Sequence, residues 1–186
     1  STHEGVREAT RHAIDVAKEA GCIVSFDPNL RPPLWKSLDD AKAEIEYGLG
    51  KCDILKISDN EIQWFTGEQD FDRAVEILRG RYGNIKLLLL SLGKNGSRAY
   101  CGENSAFAPA APANTIETTG AGDTFCGGIL AKVLEYGLRN YSAEELTGIL
   151  NYANSAAGIV TERRGALKVM PSPAEINERM ERITND

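Results

Sequence analysis

The residues from Glu117 to Gly128 combine a glycine-rich turn with one acidic side chain and lead into an apolar pattern that predicts a helix. Gly120 and Gly122 permit backbone angles that a side chain would forbid, so consecutive N–H groups can face a small anion at the positive end of a helix. Asp123 falls in the first turn, where its carboxylate could take a proton from a hydroxyl that attacks a phosphate. Acidic residues also favour the helix dipole there, so the spacing alone leaves a purely structural role for Asp123 open.

The string Thr-Thr-Gly-Ala-Gly-Asp-Thr-Phe followed by Gly-Gly resembles the C-terminal signature of the ribokinase-like carbohydrate kinases. The resemblance implies that Asp123 is the catalytic base and that the amides of Gly120, Ala121 and Gly122 form the anion hole for the transferred phosphoryl group. It also implies ATP with Mg²⁺, and a sugar hydroxyl as the acceptor. The family usually has aspartate at the position of Glu117, which is associated with a monovalent cation, so Glu117 is a candidate ligand for K⁺.

A second chemically suggestive stretch, from Asp27 to Trp35, follows an apolar run that predicts a buried strand. Ligands of open α/β sheets bind beyond the carboxyl ends of strands, although Asp27 and Asn29 could simply form turn hydrogen bonds and Arg31 could be a solvated charge. The string Asp-Pro-Asn-Leu-Arg-Pro-Pro-Leu-Trp resembles a segment of bacterial and plant fructokinases and of some 2-keto-3-deoxygluconate kinases. The resemblance implies that Arg31 faces the phosphates or the sugar and that Asp27 and Asn29 belong to the substrate side of the site.

Two interpretations compete for the segment that begins at Ser58. Ser58 and Glu61 have the Ser-x-x-Glu spacing of a capping box, which accounts for both residues without any function. The segment up to Thr66-Gly67 also resembles the family region in which a glutamate acts on the Mg²⁺ site through its water shell. That resemblance gives Glu61 a metal-linked role and leaves Ser58 with a capping role only.

The nucleotide side of the predicted site is assigned to two further segments. Asn95-Gly96 is a strong hairpin signal, but the family has a Leu-Gly-x-x-Gly turn at this place that borders the nucleotide phosphates. By that resemblance Gly93 and Gly96 let the backbone approach the phosphates and Lys94 adds positive charge. In the same way the resemblance assigns the adenine side of the site to Asn154, Ala157 and Gly165, although alanine is also an ordinary helix-packing residue.

Composition narrows the function classes. A net charge of −6 argues against nucleic acid or an anionic membrane as a general partner, and 42% hydrophobic residues suffice for a full core. The four cysteines are widely spaced with no Cys-x-x-Cys pair, which favours free thiols and a cytoplasmic location over a zinc site or a disulfide framework. The chain has no secretory h-region and no apolar run of membrane-spanning length. The two histidines, His3 and His12, lie far in sequence from the other candidate groups.

Helical patterns alternate with apolar strands along the whole chain, with crossover lengths that suit parallel pairing. We therefore predict a three-layer α/β sandwich with a mostly parallel sheet, formed by residues 1–186 as a single domain. The strands are expected at 22–26, 53–57, 85–92 and 98–101, with short strands near 102–108 and 113–116. Capping boxes at Ser142 and Ser172 predict the starts of the last two helices.

The chain begins with a helix that feeds a strand, as a βαβ unit entered halfway would, and the family carries a sugar-binding part and a small β lid before this helix. We therefore expect upstream residues to complete the sugar site, the isolated chain to lack sugar kinase activity, and the uncovered sheet edge to permit a homodimer. Fructokinase is the favoured function, with 2-keto-3-deoxygluconate kinase and a non-catalytic nucleotide-binding scaffold as alternatives. A dinucleotide-binding protein is disfavoured because no Gly-x-Gly-x-x-Gly follows the first strand.

Overall fold

The computed structural model of the protein describes residues 3–185. Within that range the chain forms seven α-helices and five strands, and the strands lie in one mixed sheet in the order β1-β2-β3-β4-β5. The chain divides into two compact units, residues 1–89 and residues 90–186.

The first unit alternates helices with parallel strands. Strands β1 and β2 pair in parallel, with Ser25 opposite Ile54 and Phe26 opposite Leu55. The core of this unit comes from the apolar faces of the helices and from β2, whose Leu55 and Ile57 are almost completely buried. Its elements are α1 (Glu4–Glu19), β1 (Ser25–Phe26), α2 (Leu38–Leu49), β2 (Ile54–Ser58), α3 (Asp59–Thr66) and α4 (Phe71–Arg81), followed by the start of β3 (Leu87–Ser91).

The second unit contains a hairpin and three long helices: β4 (Ser97–Cys101), β5 (Asn104–Ala108), α5 (Ala121–Tyr136), α6 (Ala143–Thr161) and α7 (Pro173–Asn185). Strands β4 and β5 are antiparallel, with Cys101 opposite Asn104. The predicted capping box at Ser142 is confirmed, because Ser142 accepts from the Glu145 amide and Glu145 accepts from the Ser142 amide. Among the helices in residues 3–185, none combines the length and the apolar character that crossing a bilayer requires.

The sequence-based prediction of a strand at 113–116 is wrong, because this segment has no partner strand. Its amides instead bond to the end of α6: Asn114 N donates to Glu162 Oε1 at 3.0 Å, and Ile116 N, together with the following Glu117 N, donates to the carbonyl oxygen of Thr161 at 2.8 and 3.1 Å. Thr161 is the last residue of α6, so no amide of the helix donates to its carbonyl oxygen, and the amides of Ile116 and Glu117 donate to it instead. The first strand is also shorter than predicted and begins at Ser25 rather than Cys22.

Candidate functional site

The glycine-rich turn forms the start of α5 as the sequence predicts. Gly120 is the N-cap and has φ +79°, a left-handed conformation that strongly favours glycine. Ala121 N donates to Thr118 O at 3.2 Å, and Thr124 N donates to Gly120 O at 2.8 Å. Of the three amides predicted to form the anion hole, that of Ala121 is thus already engaged, whereas within residues 3–185 those of Gly120 and Gly122 donate to no protein acceptor, and neither does that of Asp123. Two adjacent N–H groups at the positive end of a 16-residue helix are therefore available to an anion.

Asp123 has its carboxylate at the same helix terminus. Its side chain is exposed, and in the described part of the chain it makes neither a hydrogen bond nor an ion pair. The neighbouring Thr124 is buried, and its Oγ1 has no hydrogen-bond partner in residues 3–185. A carboxylate that no protein group neutralises is free to accept a proton from a bound hydroxyl.

Glu117 connects the glycine-rich turn to the loop after α6. Its Oε2 accepts a hydrogen bond from Gly165 N at 3.2 Å. The hydrogen bond from the Thr119 side chain, supported by this amide, holds the pKa of the Glu117 carboxyl below its usual range. Glu117 therefore remains ionised at neutral pH and fixes the backbone at Gly165, which has φ +117°.

Gly96 and Asn154, both predicted on the nucleotide side, meet at the end of β5. A Cβ on Gly96 would lie 2.1 Å from Ala108 O, so close backbone packing alone requires glycine there. Asn154 is buried, and its Nδ2 donates to Ala108 O at 3.3 Å and to Pro109 O at 2.9 Å. Its Oδ1 accepts from Ser97 Oγ at 2.9 Å. The Asn154 amide therefore ties α6 to the hairpin, and its adenine role stays a prediction.

The remaining nucleotide-side residues are less constrained. Gly93 has φ +55° at the start of a short 3₁₀ turn, with open space where a Cβ would stand. Lys94 is exposed in that turn, and Ala157 is half-buried on α6. These positions are accessible to a ligand, but no contact within the described residues indicates a role for them.

In the first unit, the loop after β1 is held by an ion pair that is largely removed from solvent. Asp27 Oδ2 lies 3.0 Å from Lys56 Nζ, and the two side chains are 19% and 8% exposed. Burial raises the pKa of the Asp27 carboxyl, and the attraction of Lys56 opposes this shift. Asp27 Oδ1 also accepts from Asn29 N at 3.1 Å, as the turn interpretation predicts. Asn29 has φ +43°, the single left-handed non-glycine residue among those described.

Glu61 fixes the same loop from the start of α3. Its Oε1 accepts from Leu30 N at 2.6 Å, and its Oε2 accepts from Ser58 N at 2.9 Å and from Ser58 Oγ at 2.7 Å. The capping interpretation of Ser58 and Glu61 is thus confirmed. The bond to Leu30 was not anticipated. The metal-linked role of Glu61 stays a prediction.

Arg31 follows this anchored loop and leaves its charge available. Its side chain is exposed, and Nη1 makes one long hydrogen bond of 3.4 Å to Leu30 O. The backbone is fixed on the other side by a 3₁₀ turn from Pro32 to Leu34, in which Leu34 N donates to Arg31 O. The guanidinium therefore extends from a well-defined backbone with most of its donors unused.

Three residues have structural roles that were not predicted from the sequence: Lys56, Ser97 and Thr161. Lys56 carried a usable signal, since a lysine between buried apolar residues in a central strand requires an acidic partner. Ser97 and Thr161 carry no such signal, because serine and threonine are common in any strand or helix. Their partners are known only from the fold.

Comparison with known proteins assigns the chain to a family. The profile described as "pfkB family carbohydrate kinase" matches residues 2–173. The chain is 37% identical over 172 residues to "Probable fructokinase-2" of Arabidopsis thaliana, covering 92% of this chain and 52% of that protein. The chain thus spans about half the length of such curated relatives.

Two solved structures extend the comparison to the fold. Fructokinase from Vibrio cholerae O395, with fructose, ADP and calcium bound, superposes with a TM-score of 0.86 at 27% identity, covering 96% of this chain and 57% of that one. Aminoimidazole riboside kinase from Salmonella enterica, with its riboside and an ATP analogue, gives a TM-score of 0.82 at 28% identity, with 96% and 59% covered. The predicted ribokinase-like α/β sandwich is therefore confirmed, and the chain belongs to the pfkB family of carbohydrate kinases.

Proposed function

We propose that this chain supplies the catalytic base and the nucleotide-binding residues of an ATP-dependent sugar kinase. The observation that carries the proposal is the start of α5, where the unpaired Asp123 carboxylate adjoins two amides without protein acceptors. A carboxylate repels phosphate and is a poor choice for binding alone. Beside an anion site it suits proton transfer from a hydroxyl that attacks the phosphate.

In the proposed reaction Asp123 accepts the proton of a sugar hydroxyl while the hydroxyl oxygen bonds to the γ-phosphorus of ATP. The bond from that phosphorus to the bridging oxygen breaks, and ADP leaves with the electron pair. The amides of Gly122 and Asp123 stabilise the negative charge on the transferred phosphoryl group. Arg31 and Lys94 each offer an exposed positive charge to phosphoryl oxygens.

Mg²⁺ fits the proposal as a companion of the nucleotide. In residues 3–185 no group of three or more acidic, histidine or cysteine side chains could hold a metal ion by itself. Mg²⁺ in phosphoryl-transfer enzymes is bound mainly by substrate phosphates, waters and one or two carboxylates, so such a cluster is not required. Glu61 accepts two hydrogen bonds on Oε2 and one on Oε1, which leaves Oε1 able to accept from a water of the metal. The bound metal would neutralise charge on the phosphates.

A monovalent cation such as K⁺ is the further cofactor proposed for the second unit. Glu117 would supply its negative charge, and the low pKa of this carboxyl keeps it ionised. Its bond to Gly165 N leaves acceptor capacity on the other carboxylate oxygen.

A cavity in the second unit supports a base-binding role. It measures about 360 Å³ and is lined by the segment Pro109–Pro112, by Asn151 and Asn154 on α6 and by Met180 on α7. The Asn154 amide is already engaged, whereas the Asn151 side chain makes no hydrogen bond within the described residues. A flat base would therefore be recognised by shape, by apolar contact and by the Asn151 side-chain amide.

We propose fructose as the acceptor, because curated relatives such as the Arabidopsis protein carry the fructokinase name. A 2-keto-3-deoxy sugar acid is the alternative acceptor, since the Asp27–Trp35 string resembles both kinds of kinase.

The binding half of the proposal is tested by calorimetry of Mg·ATP with a pair of variants at one position. Gly122→Pro removes the N–H and introduces a residue that the first turn of a helix tolerates, whereas Gly122→Ala keeps the N–H. A hydrogen bond to a charged group contributes about 1.5–3 kcal/mol, so the proline variant should bind ATP about tenfold more weakly or worse. Circular dichroism verifies that both variants fold. Equal affinity in the two variants would remove the anion-hole assignment.

The catalytic half is tested in the active enzyme with Asp123→Asn. Asparagine keeps the shape but accepts no proton, so kcat should fall about 10²- to 10⁴-fold while ATP affinity is retained. A coupled ADP-release assay with fructose, with 2-keto-3-deoxygluconate and without sugar identifies the acceptor. ATP binding without any Asp123-dependent turnover would favour the non-catalytic scaffold instead.

A further inference from the structure

A single lysine interrupts the apolar sequence of β2. Its neighbours Leu55 and Ile57 are 0% and 1% exposed, and Lys56 itself is 7% exposed. Placing an ammonium in such surroundings is unfavourable unless it is paired with an opposite charge. Its partner is the Asp27 carboxylate at 3.0 Å, on the loop that follows β1. The Lys56 ammonium is therefore paired with that loop instead of being hydrated by solvent.

The Asp27 carboxylate connects Lys56 to the backbone of the loop. One oxygen pairs with Lys56, and the other accepts from Asn29 N at 3.1 Å. Asn29 adopts φ +43°, a left-handed conformation that asparagine reaches more readily than other non-glycine residues. Contacts with surrounding residues help to hold the loop in this conformation. Lys56 provides such a contact through Asp27, and Glu61 provides another by accepting from Leu30 N at 2.6 Å.

Arg31 follows the anchored residues, and its side chain faces solvent. Its backbone lies between the anchored Leu30 and the 3₁₀ turn that begins at Pro32. Lys56 and Asp27 are largely buried and paired with each other, so Arg31 is the charged side chain of this loop that is open to solvent.

We infer that Lys56 is a positioning residue, which holds the Asp27–Leu30 loop in the conformation that presents Arg31 to phosphoryl oxygens. The inference rests on the proposed function for the role of Arg31, whereas the anchoring of the loop rests on the contacts alone. Lys56 has no contact with substrate in this role. Replacing it should therefore weaken phosphate binding only as far as Arg31 contributes to that binding.

The first measurement is hydrogen exchange of backbone amides in Lys56→Met. We expect the Leu30 amide to exchange about tenfold faster or more, because losing the ion pair frees the loop locally. The Leu87 amide, which donates to Asp53 O in the same unit, should keep its rate. The matched control is Lys18→Met, which removes a lysine that pairs with Asp53 at the same 3.0 Å and leaves Asp27 intact. Unchanged exchange at Leu30, or an equal increase at Leu30 and Leu87, would overturn the inference.

The second measurement is the affinity for Mg·ATP in two backgrounds. Arg31→Gln and Lys56→Met should each weaken binding, and adding Lys56→Met to Arg31→Gln should change it no further. If Lys56→Met weakens Mg·ATP binding by the same factor with Arg31→Gln as without it, the effect of Lys56→Met is a general structural one and the positioning role is overturned. ATP binding that responds to Gly122→Pro and Arg31→Gln but not to Lys56→Met would overturn the inference and leave the proposed function standing. No ATP binding by any folded variant would overturn the proposed function and with it the phosphate role of Arg31, and exchange at Leu30 would still decide the anchoring.

Discussion

Gly96→Ala should strongly destabilise the second unit, because the structure leaves no room for a side chain at this position. A Cβ would lie 2.1 Å from Ala108 O, 2.8 Å from Pro109 Cα and 2.9 Å from Ala110 N, all of them backbone atoms. Gly96 also has φ +102°, which alanine adopts only with strain. The segment after β5 would therefore have to move away from β4.

The size of the effect follows from three contributions. Backbone strain costs roughly 1–3 kcal/mol, and overpacking typically adds about 1–3 kcal/mol. Moving the segment also stretches the hydrogen bonds from Asn154 Nδ2 to Ala108 O and Pro109 O, and a buried polar group left unsatisfied costs about 1–3 kcal/mol. These contributions overlap, so we expect a loss of about 3–6 kcal/mol, a large part of the stability of an ordinary domain.

Gly93→Ala is the matched control in the same turn. Gly93 has φ +55° but open space around a built Cβ, so only the left-handed conformation is penalised, by about 1–2 kcal/mol. Urea unfolding of both variants should be followed by circular dichroism, because both tryptophans, Trp35 and Trp64, lie in the first unit. Equal losses, or a loss below about 1 kcal/mol for Gly96→Ala, would refute the packing argument. The folded Gly93→Ala variant can then report whether this turn borders the ATP phosphates.

Two further predictions concern titration. The bidentate hydrogen bonds from Arg139, together with the bond from Ser142 N, lower the pKa of Glu145 to about 2. Because this folded-state value lies below the ordinary one, the carboxylate contributes stability above pH about 4.5 that is lost as pH falls towards 2. The thermal midpoint of Glu145→Gln should therefore decrease less than that of the unsubstituted protein over this pH range. An identical decrease in the two proteins would contradict this role of Glu145. Among the cysteines, Cys22 is exposed, whereas burial raises the pKa of Cys52 to about 12. A thiol reagent at pH 8 should modify Cys22 rapidly, a phase that Cys22→Ser abolishes, and should reach Cys52 only after unfolding; rapid labelling of Cys52 in the native protein would show that it is not buried.

The sequence by itself determined the elements whose causes are local. Apolar runs identified β2 and β3, and Ser-x-x-Glu spacing identified the starts of α6 and α7, because a capping box needs only residues three positions apart. The glycine-rich turn at the start of α5 was predicted for the same reason: Gly120 needs a positive φ and Asp123 needs a place in the first turn, and both follow from short-range geometry. The family signature lies in this local string.

The tertiary structure alone decided which polar groups remain available for a ligand. Glu61 accepts from Leu30, 31 positions away, and Asn154 donates to Ala108, 46 positions away. No local pattern encodes these pairs, because each depends on how separate elements pack. The segment 113–116 was predicted to be a strand, but Ile116 N donates instead to the carbonyl oxygen of Thr161 and Asn114 N to the Glu162 carboxylate, both at the end of α6. A backbone donor pairs with whichever acceptor the fold places nearest, and that choice is made in three dimensions.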